Sequence, residues 1–212
     1  NNYSLIINSD KNNPITKKFF HRSLEKKYNG LAYTTLINHL KTKNNTAFQI
    51  FTKNGPLAFL PLSETQTSVV FSNDTEKKIE QKSVQSFIEK YNLKYKIKNF
   101  SEIEKFNIKF SILRNYFYKN ILCFGDLIHK VHPLAGQGFN MTIRDIKNLS
   151  SLIDKQISLG LPIDISVANE FEKLAKPKNY LYGRAIDFVH EFFQFDSKVK
   201  NSISKPLFSV LN

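Results

Sequence analysis

The segment GDLIHKVHPLAGQGFN, Gly125–Asn140, constrains the fold of this chain more than any other. Three of the seven glycines in the 212 residues fall inside it, with two of the five histidines. Upstream, NILCF (Asn120–Phe124) is short, continuous and apolar, the pattern of a strand covered on both faces. Downstream, NMTIRDIKNLSSLIDKQISLG carries apolar residues at helical spacing. Ile143, Ile146, Leu149, Leu152, Ile153 and Ile157 predict one stripe, and Gly160 and Pro162 predict its end. A buried strand, a glycine loop and a helix start in direct succession call for an α/β unit.

Such a unit is also a physical device. Glycines let the backbone come close to a ligand. The free N–H groups of a first helical turn favour negative charge. An acid at the carboxyl end of a strand, here Asp126, accepts hydrogen bonds from sugar-like hydroxyls at the edge where α/β sheets bind ligands. Read from the residues alone, the loop points to a nucleotide or a flavin. Two other readings stand beside it. Asp126, His129 and His132 form D-x-x-H-x-x-H, a metal spacing. Against it, Pro133 biases His132 away from helical geometry, and no third strong ligand is adjacent. The other reading is a plain turn with satisfied histidines.

Composition narrows the classes. Hydrophobic residues make up 41% of the chain, enough for a core. No apolar run reaches the roughly 20 residues of a membrane span. The start, NNYSLIINSDKNN, has neither the basic opening nor the apolar centre of a signal peptide, and it lacks an initiator Met. The chain therefore reads as a piece of something longer or a processed product. Cys123 is the lone cysteine. That leaves no disulfide framework and suits a reducing compartment, the cytoplasm. The net charge of +13 invites nucleic acid. However, the basic residues are mostly lysines and are scattered rather than striped, so no nucleic-acid partner is expected. The same charge is equally consistent with an anionic membrane surface.

Elsewhere, YSLIIN (Tyr3–Asn8) predicts a short strand before the polar turn SDKNNP. LAYTTLINHL, TAFQIFTK, LAFLPL and TSVVFS predict an antiparallel unit between Tyr28 and Ser72, with a tight turn at Asn54-Gly55. Asp74 is the expected N-cap of an amphipathic helix carrying Ile79, Val84, Phe87, Ile88 and Tyr91 and ending near Asn92. LKYKIKNF alternates, which predicts a half-exposed strand with Leu93, Tyr95 and Ile97 on one face and three solvated lysines on the other. In YLYGRAIDFVHEFFQF, Ile186, Val189, Phe192 and Phe193 predict one packed helical face, with Phe188 and Phe195 beside it.

Gly125, Asp126, His129, Pro133, Gly136, Gln137, Gly138, Asn140 and Asp145 spell G-D-x-x-H-x-x-x-P-x-x-G-Q-G-x-N-x-x-x-x-D. This resembles the second flavin-binding motif of the class A FAD-dependent aromatic hydroxylases. HPLAGQGFN…RD is most similar to their ubiquinone-biosynthesis members, the 2-polyprenylphenol hydroxylase group. FTKNGPLAFLPL resembles a strand pair of that family's substrate domain. The resemblance implies an FAD-dependent monooxygenase that uses NAD(P)H and O2 to hydroxylate an aromatic polyprenyl-phenol. It implies FAD contacts from Gly125, Asp126, Pro133, Gly136, Gln137, Gly138 and Asn140. Asp126 would meet the ribityl or neighbouring hydroxyls, Pro133 would lie beside the ring, and the Gly136–Gly138 backbone would meet the pyrimidine edge. Asn140 and Asp145 would hold loop and helix in place. No dedicated catalytic acid or base is implied, and no metal. Peripheral contact at the inner face of the membrane, or with ubiquinone-biosynthesis proteins, is the implied setting.

Two departures stand out. Where the family has D-G-x-x-S-x-x-R, this chain keeps Asp10 but has Lys11, Pro14 and Lys17. Leu127 and Ile128 stand where the family has two small residues, and they either crowd the flavin or repack the sheet. The G-x-G-x-x-G of the family's start is absent, so the resemblance places the dinucleotide half before Asn1. A relative that keeps the fold without the chemistry, or a basic binding module without flavin, remains the alternative. The expected architecture is mixed α/β (α+β), a partial Rossmann-like FAD/NAD(P)-binding domain with an inserted antiparallel-sheet substrate domain. Residues 1–20 end the first part of the FAD domain. Residues 28–105 form the substrate domain, 106–175 carry the flavin loop and helix, and 176–212 form a C-terminal helical segment.

Overall fold

A computed structural model describes residues 3–73, 79–132 and 137–198. The chain divides into two compact units. The first holds the chain up to Lys27 and Lys109–Val189; the second holds Tyr28–Ile108 and the chain from His190 onward. Among the described residues, ten strands and four α-helices give the mixed α/β class.

The second unit is antiparallel. It is built on β2 (Ser23–His39) from Tyr28 onward, β3 (Phe48–Thr52), β4 (Gly55–Ser63), β5 (Gln66–Asn73), β6 (Ile97–Phe100) and the first half of β7 (Glu104–Leu113). Its strand order runs β2-β5-β4-β3, with β6 also on β2 and β7 on β2's other edge. Alternate residues face one side, as the period of two requires. Leu57 pairs with Phe71 and Phe59 with Val69, while Tyr33 pairs with Phe71. All five are in one core with Ile37 and with Val84 and Ile88 of α2 (Gln81–Tyr91). Gly55 turns the β3–β4 hairpin at φ 127°, a conformation that favours glycine.

Two expectations change here. Asp74 lies outside the described residues, and α2 starts after Glu80, which makes no side-chain cap bond. The strand expected from Leu93 begins only at Ile97. The Asn92 side chain accepts from the Tyr95 N–H at 2.9 Å and donates to the Tyr95 carbonyl at 2.6 Å. That local turn leaves Leu93 in solvent and buries Tyr95.

The first unit centres on β9 (Ile121–Cys123). It pairs in parallel with β1 (Ile6–Asn8) and antiparallel with β8 (Phe117–Tyr118). A strand in the middle of its sheet must be apolar throughout, and Leu122 and Cys123 are fully buried. A short helix, α1 (Pro14–Phe19), follows β1. The strand β10 (His129–Lys130) pairs with the end of β7, and α3 (Gln137–Ser158) and α4 (Ile165–Lys198) cover the core. Leu113, Tyr116, Leu122, Ile128, Leu149 and Phe171 are among its members.

The buried face of α3 keeps half of the expected stripe: Leu149 is buried, and Leu152 and Ile153 pack on the core. Met141, Asp145 and Leu149 are buried, while Ile143, Ile146 and Ile157 are exposed. The helix is rotated so that Asp145 faces inward. On α4 the packed face runs through Val167, Phe171, Ala175, Asn179, Gly183 and Ile186. Of the expected face Ile186 is buried and Phe192 half-buried; Val189, Phe188 and Phe195 are exposed, and the Phe193 side chain lies outside the described residues. Among the described residues no helix is long and apolar enough to cross a membrane.

Candidate functional site

The site starts where β9 stops. Phe124 is still extended, and its N–H donates to the Asn8 carbonyl of β1 at 2.9 Å. Gly125 then turns left-handed, φ 65°, into a single 3-10 turn, Gly125–Leu127. A side chain at position 125 would stand 4.0 Å from Thr142 Cγ2, so space is not what selects glycine; the dihedral is. The turn throws Asp126 into solvent and sends Ile128 inward. Ile128 is completely buried among the core residues, and Leu127 packs half-buried against the same core. The bulk of Ile128 therefore repacks the sheet rather than the ligand edge.

Asp126 faces a cleft of about 290 Å³ that Lys11, Lys17, His21, Glu25 and Lys130 also line. One wall is tied to β1. The Asn8 amide donates to the Thr16 hydroxyl at 2.7 Å, and that hydroxyl donates to the Asp10 carbonyl at 2.7 Å. Asn13 caps α1 by accepting from the Ile15 N–H at 2.9 Å, with Pro14 at the first helical position where its missing N–H costs nothing. The other wall comes from strand pairing, which sets Lys130 opposite Ser111. Burial, and then the charges of Lys130 and Lys109, hold the Lys11 ammonium below the usual lysine pKa. Hydrogen bonds from the Ser23 hydroxyl and the Lys109 ammonium hold the Glu25 carboxyl below its usual range. Clustered cations beside an exposed carboxylate suit a ligand with anionic groups and hydroxyls.

Gln137, Gly138 and Asn140 form the first turn of α3, and α3 packs against the Gly125–Leu127 turn. Gln137 and Gly138 are half-buried; Asn140 is exposed. A side chain at position 138 would meet Val131 Cγ2 at an ordinary 3.5 Å. Pro133 and Gly136 lie outside the described residues. His129 and His132 are both buried. Among the described residues no three His, Cys, Asp or Glu side chains gather around one point that a metal ion could occupy. Lys11 and Lys17 stand out in the sequence only as departures from the family's segment, and Lys109 and Lys130 do not stand out at all. Lys109 and Lys130 are brought together by the β7–β10 pairing, and Lys11 reaches them from the segment between β1 and α1.

Comparison with known proteins gives the same direction. The pattern of the FAD binding domain family matches residues 29–158, more than half of the chain. The mitochondrial ubiquinone biosynthesis monooxygenase COQ6 of Dictyostelium discoideum is 29% identical across 98% of this chain and 52% of its own length. The chain spans about half the length of the curated relatives it matches. Among solved structures, Klebsiella pneumoniae HpxO complexed with FAD shares the fold with a TM-score of 0.71 at 10% identity, covering 96% of this chain and 56% of that one. A probable FAD-dependent monooxygenase from Pseudomonas aeruginosa, pqsL, gives a TM-score of 0.65 at 17% identity, covering 94% and 59%.

Proposed function

The chain belongs to the FAD binding domain family, and from that premise we propose that it carries the flavin-edge part of an aromatic-ring hydroxylase of ubiquinone biosynthesis. The substrate class is a polyprenylated phenol, with NAD(P)H and O2 as co-substrates. The observation that carries the reading is the Gly125 turn, which presents Asp126 at the carboxyl end of a central strand beside a cleft rich in lysine.

The residues present fit the cofactor. Asp126 is exposed and accepts hydrogen bonds only, which suits ribityl or neighbouring hydroxyls. Lys11, Lys17 and Lys130 suit phosphate oxygens. The N–H groups of Gln137 and Gly138 begin a helix and favour negative charge at a pyrimidine edge. Pro133, Gly136 and Asn140 complete the proposed contact set. FAD, once bound, supplies the redox and oxygen chemistry, and the chain's part is to orient and shield it. In this reading residues 1–20 and 106–175 belong to the FAD domain and the antiparallel unit, 28–105, to the substrate domain. Residues 176–212 add the C-terminal helical segment. Peripheral membrane contact belongs to the reading too, because a polyprenyl chain partitions into lipid and the net charge is +13.

Purified full-length protein tests it. The reading expects a bound flavin absorbance spectrum, NADH or NADPH oxidation stimulated by a polyprenylated phenol, and a product heavier by one oxygen. A protein that takes up no FAD, or in which Asp126→Ala changes nothing, overturns it.

A further inference from the structure

A buried polar network joins the two elements between which residues 131–136 run, β10 and α3. His129 of β10 places Nε2 3.1 Å from Oδ2 of Asp145 in α3, and both side chains are completely buried. Asp145 accepts only, so Nε2 carries the proton in this contact. The same Oδ2 accepts a second bond, at 2.8 Å, from the Asn179 amide of α4. The Asn179 carbonyl oxygen accepts from the Arg144 guanidinium. Its amide also lies 3.4 Å from the Tyr116 hydroxyl. Arg144 stacks over the Tyr182 ring at 4.2 Å.

A buried carboxylate is costly unless fully held. Asn179 sits on the packed face of α4, in line with Val167, Phe171 and Ala175, where an apolar residue would pack as well. Its amide instead reaches the one acid that α3 turns inward. Asp145 lies about 12 Å along the helix from Gln137 at the rise of an α-helix. Whatever fixes Asp145 therefore fixes the first turn of α3 as a rigid extension.

We infer that Asn179 is a positioning residue for the cofactor loop: its amide holds Asp145 on His129, and the pair sets the start of α3 against β10. The inference rests on the FAD reading above. Without Asn179, Oδ2 of Asp145 keeps one donor rather than two, and the carboxylate gains rotational freedom.

The test uses full-length protein, FAD titration followed by flavin fluorescence, and thermal unfolding in parallel. Asn179→Leu removes the amide at similar volume, and Asn179→Asp replaces the donor with an acceptor. Phe171→Leu perturbs the same helix and core, beside the rings of Tyr116 and Phe124, without removing a hydrogen bond of the network. Both Asn179 variants are expected to weaken FAD about tenfold or more while folded, because a smaller fraction of molecules holds the start of α3 in the binding-competent position. Phe171→Leu lowers the melting temperature and keeps the affinity. Arg144→Met, at a half-exposed site, gives a smaller loss of the same kind and serves if Asn179→Leu does not fold. Without cofactor, amide hydrogens of Met141–Asp145 exchange faster in Asn179→Leu than in Phe171→Leu. If FAD affinity in the Asn179 and Arg144 variants follows melting temperature as in Phe171→Leu, or amide exchange is unchanged, the inference is overturned. A wild type that binds no FAD overturns the cofactor reading instead, and amide exchange still decides the role of Asn179 in holding α3.

Discussion

Gly183 of α4 lies against the ring of Phe110: a methyl group at position 183 would stand 2.7 Å from Phe110 Cε2 and 3.3 Å from Ile112 Cδ1. Phe110 is buried and has little room to turn away. Glycine is therefore required here by space. Gly183→Ala is expected to destabilise the protein by about 1–3 kcal/mol, the range for overpacking a core. Urea unfolding measures this. Phe110→Leu in the same chain should recover part of the loss, as expected for residues in contact.

Burial sets the alkaline limit. The Cys123 thiol is pushed up to about 12 from an ordinary 9.0 by burial. Burial likewise holds the Tyr116 hydroxyl above its ordinary 10.0. Both folded values exceed the unfolded ones. Each group therefore contributes stability that is complete below its ordinary pKa and is lost as pH rises through the folded value. The urea midpoint should stay free of this effect up to about pH 9 and then fall on approach to about pH 12. Cys123→Ala should flatten the early part of that fall. A thiol reagent at neutral pH should modify Cys123 only as fast as the protein opens.

The antiparallel unit is legible in the sequence because its signal is local. Tyr33, Ile37, Leu57, Phe59, Val69 and Phe71 recur at even spacing within their strands, and all six are in the core. The Gly125-Asp126 turn is legible for a similar reason: an apolar strand running into glycine and acid has few other solutions. The face of α3 is legible through Leu149, Leu152 and Ile153 but not in its first turns. Counting apolar spacing puts Asp145 outside, whereas its partners His129 and Asn179 come from β10 and α4 and turn it inward. Leu93 deceives in the same way, since Asn92 bonds the backbone locally and delays the strand. Lys11 and Lys17 stand out in the sequence as departures from the family's segment, but their convergence with Lys130 depends on strand register and is not legible there.

Asp126 is exposed, so its role and the stability of the fold separate cleanly. Asp126→Asn should leave the unfolding free energy within about 0.5 kcal/mol of wild type, as for most surface changes. FAD affinity should fall about tenfold or more, the loss of a hydrogen bond to a charged acceptor. Fluorescence titration and thermal unfolding of one preparation measure both. Equal losses of affinity and stability would contradict the separation.

The cations of the cleft give a prediction that needs no flavin spectrum. Lys11 has a depressed pKa from burial and from Lys130 and Lys109, so some of it is neutral at alkaline pH before an anion arrives. A bound phosphate offsets the repulsion and raises that pKa, so binding takes up protons there. Inorganic pyrophosphate is a sufficient probe. Calorimetry at alkaline pH in two buffers of different ionisation enthalpy should show proton uptake, and near neutral pH, where Lys11 is already charged, the uptake should fade. Lys130→Gln removes one of the repelling charges. It should shift the uptake to higher pH and weaken pyrophosphate at low salt more than at high salt, because exposed charges are screened over about 10 Å at 0.1 M. Uptake that persists unchanged in Lys11→Gln would assign the proton to another group.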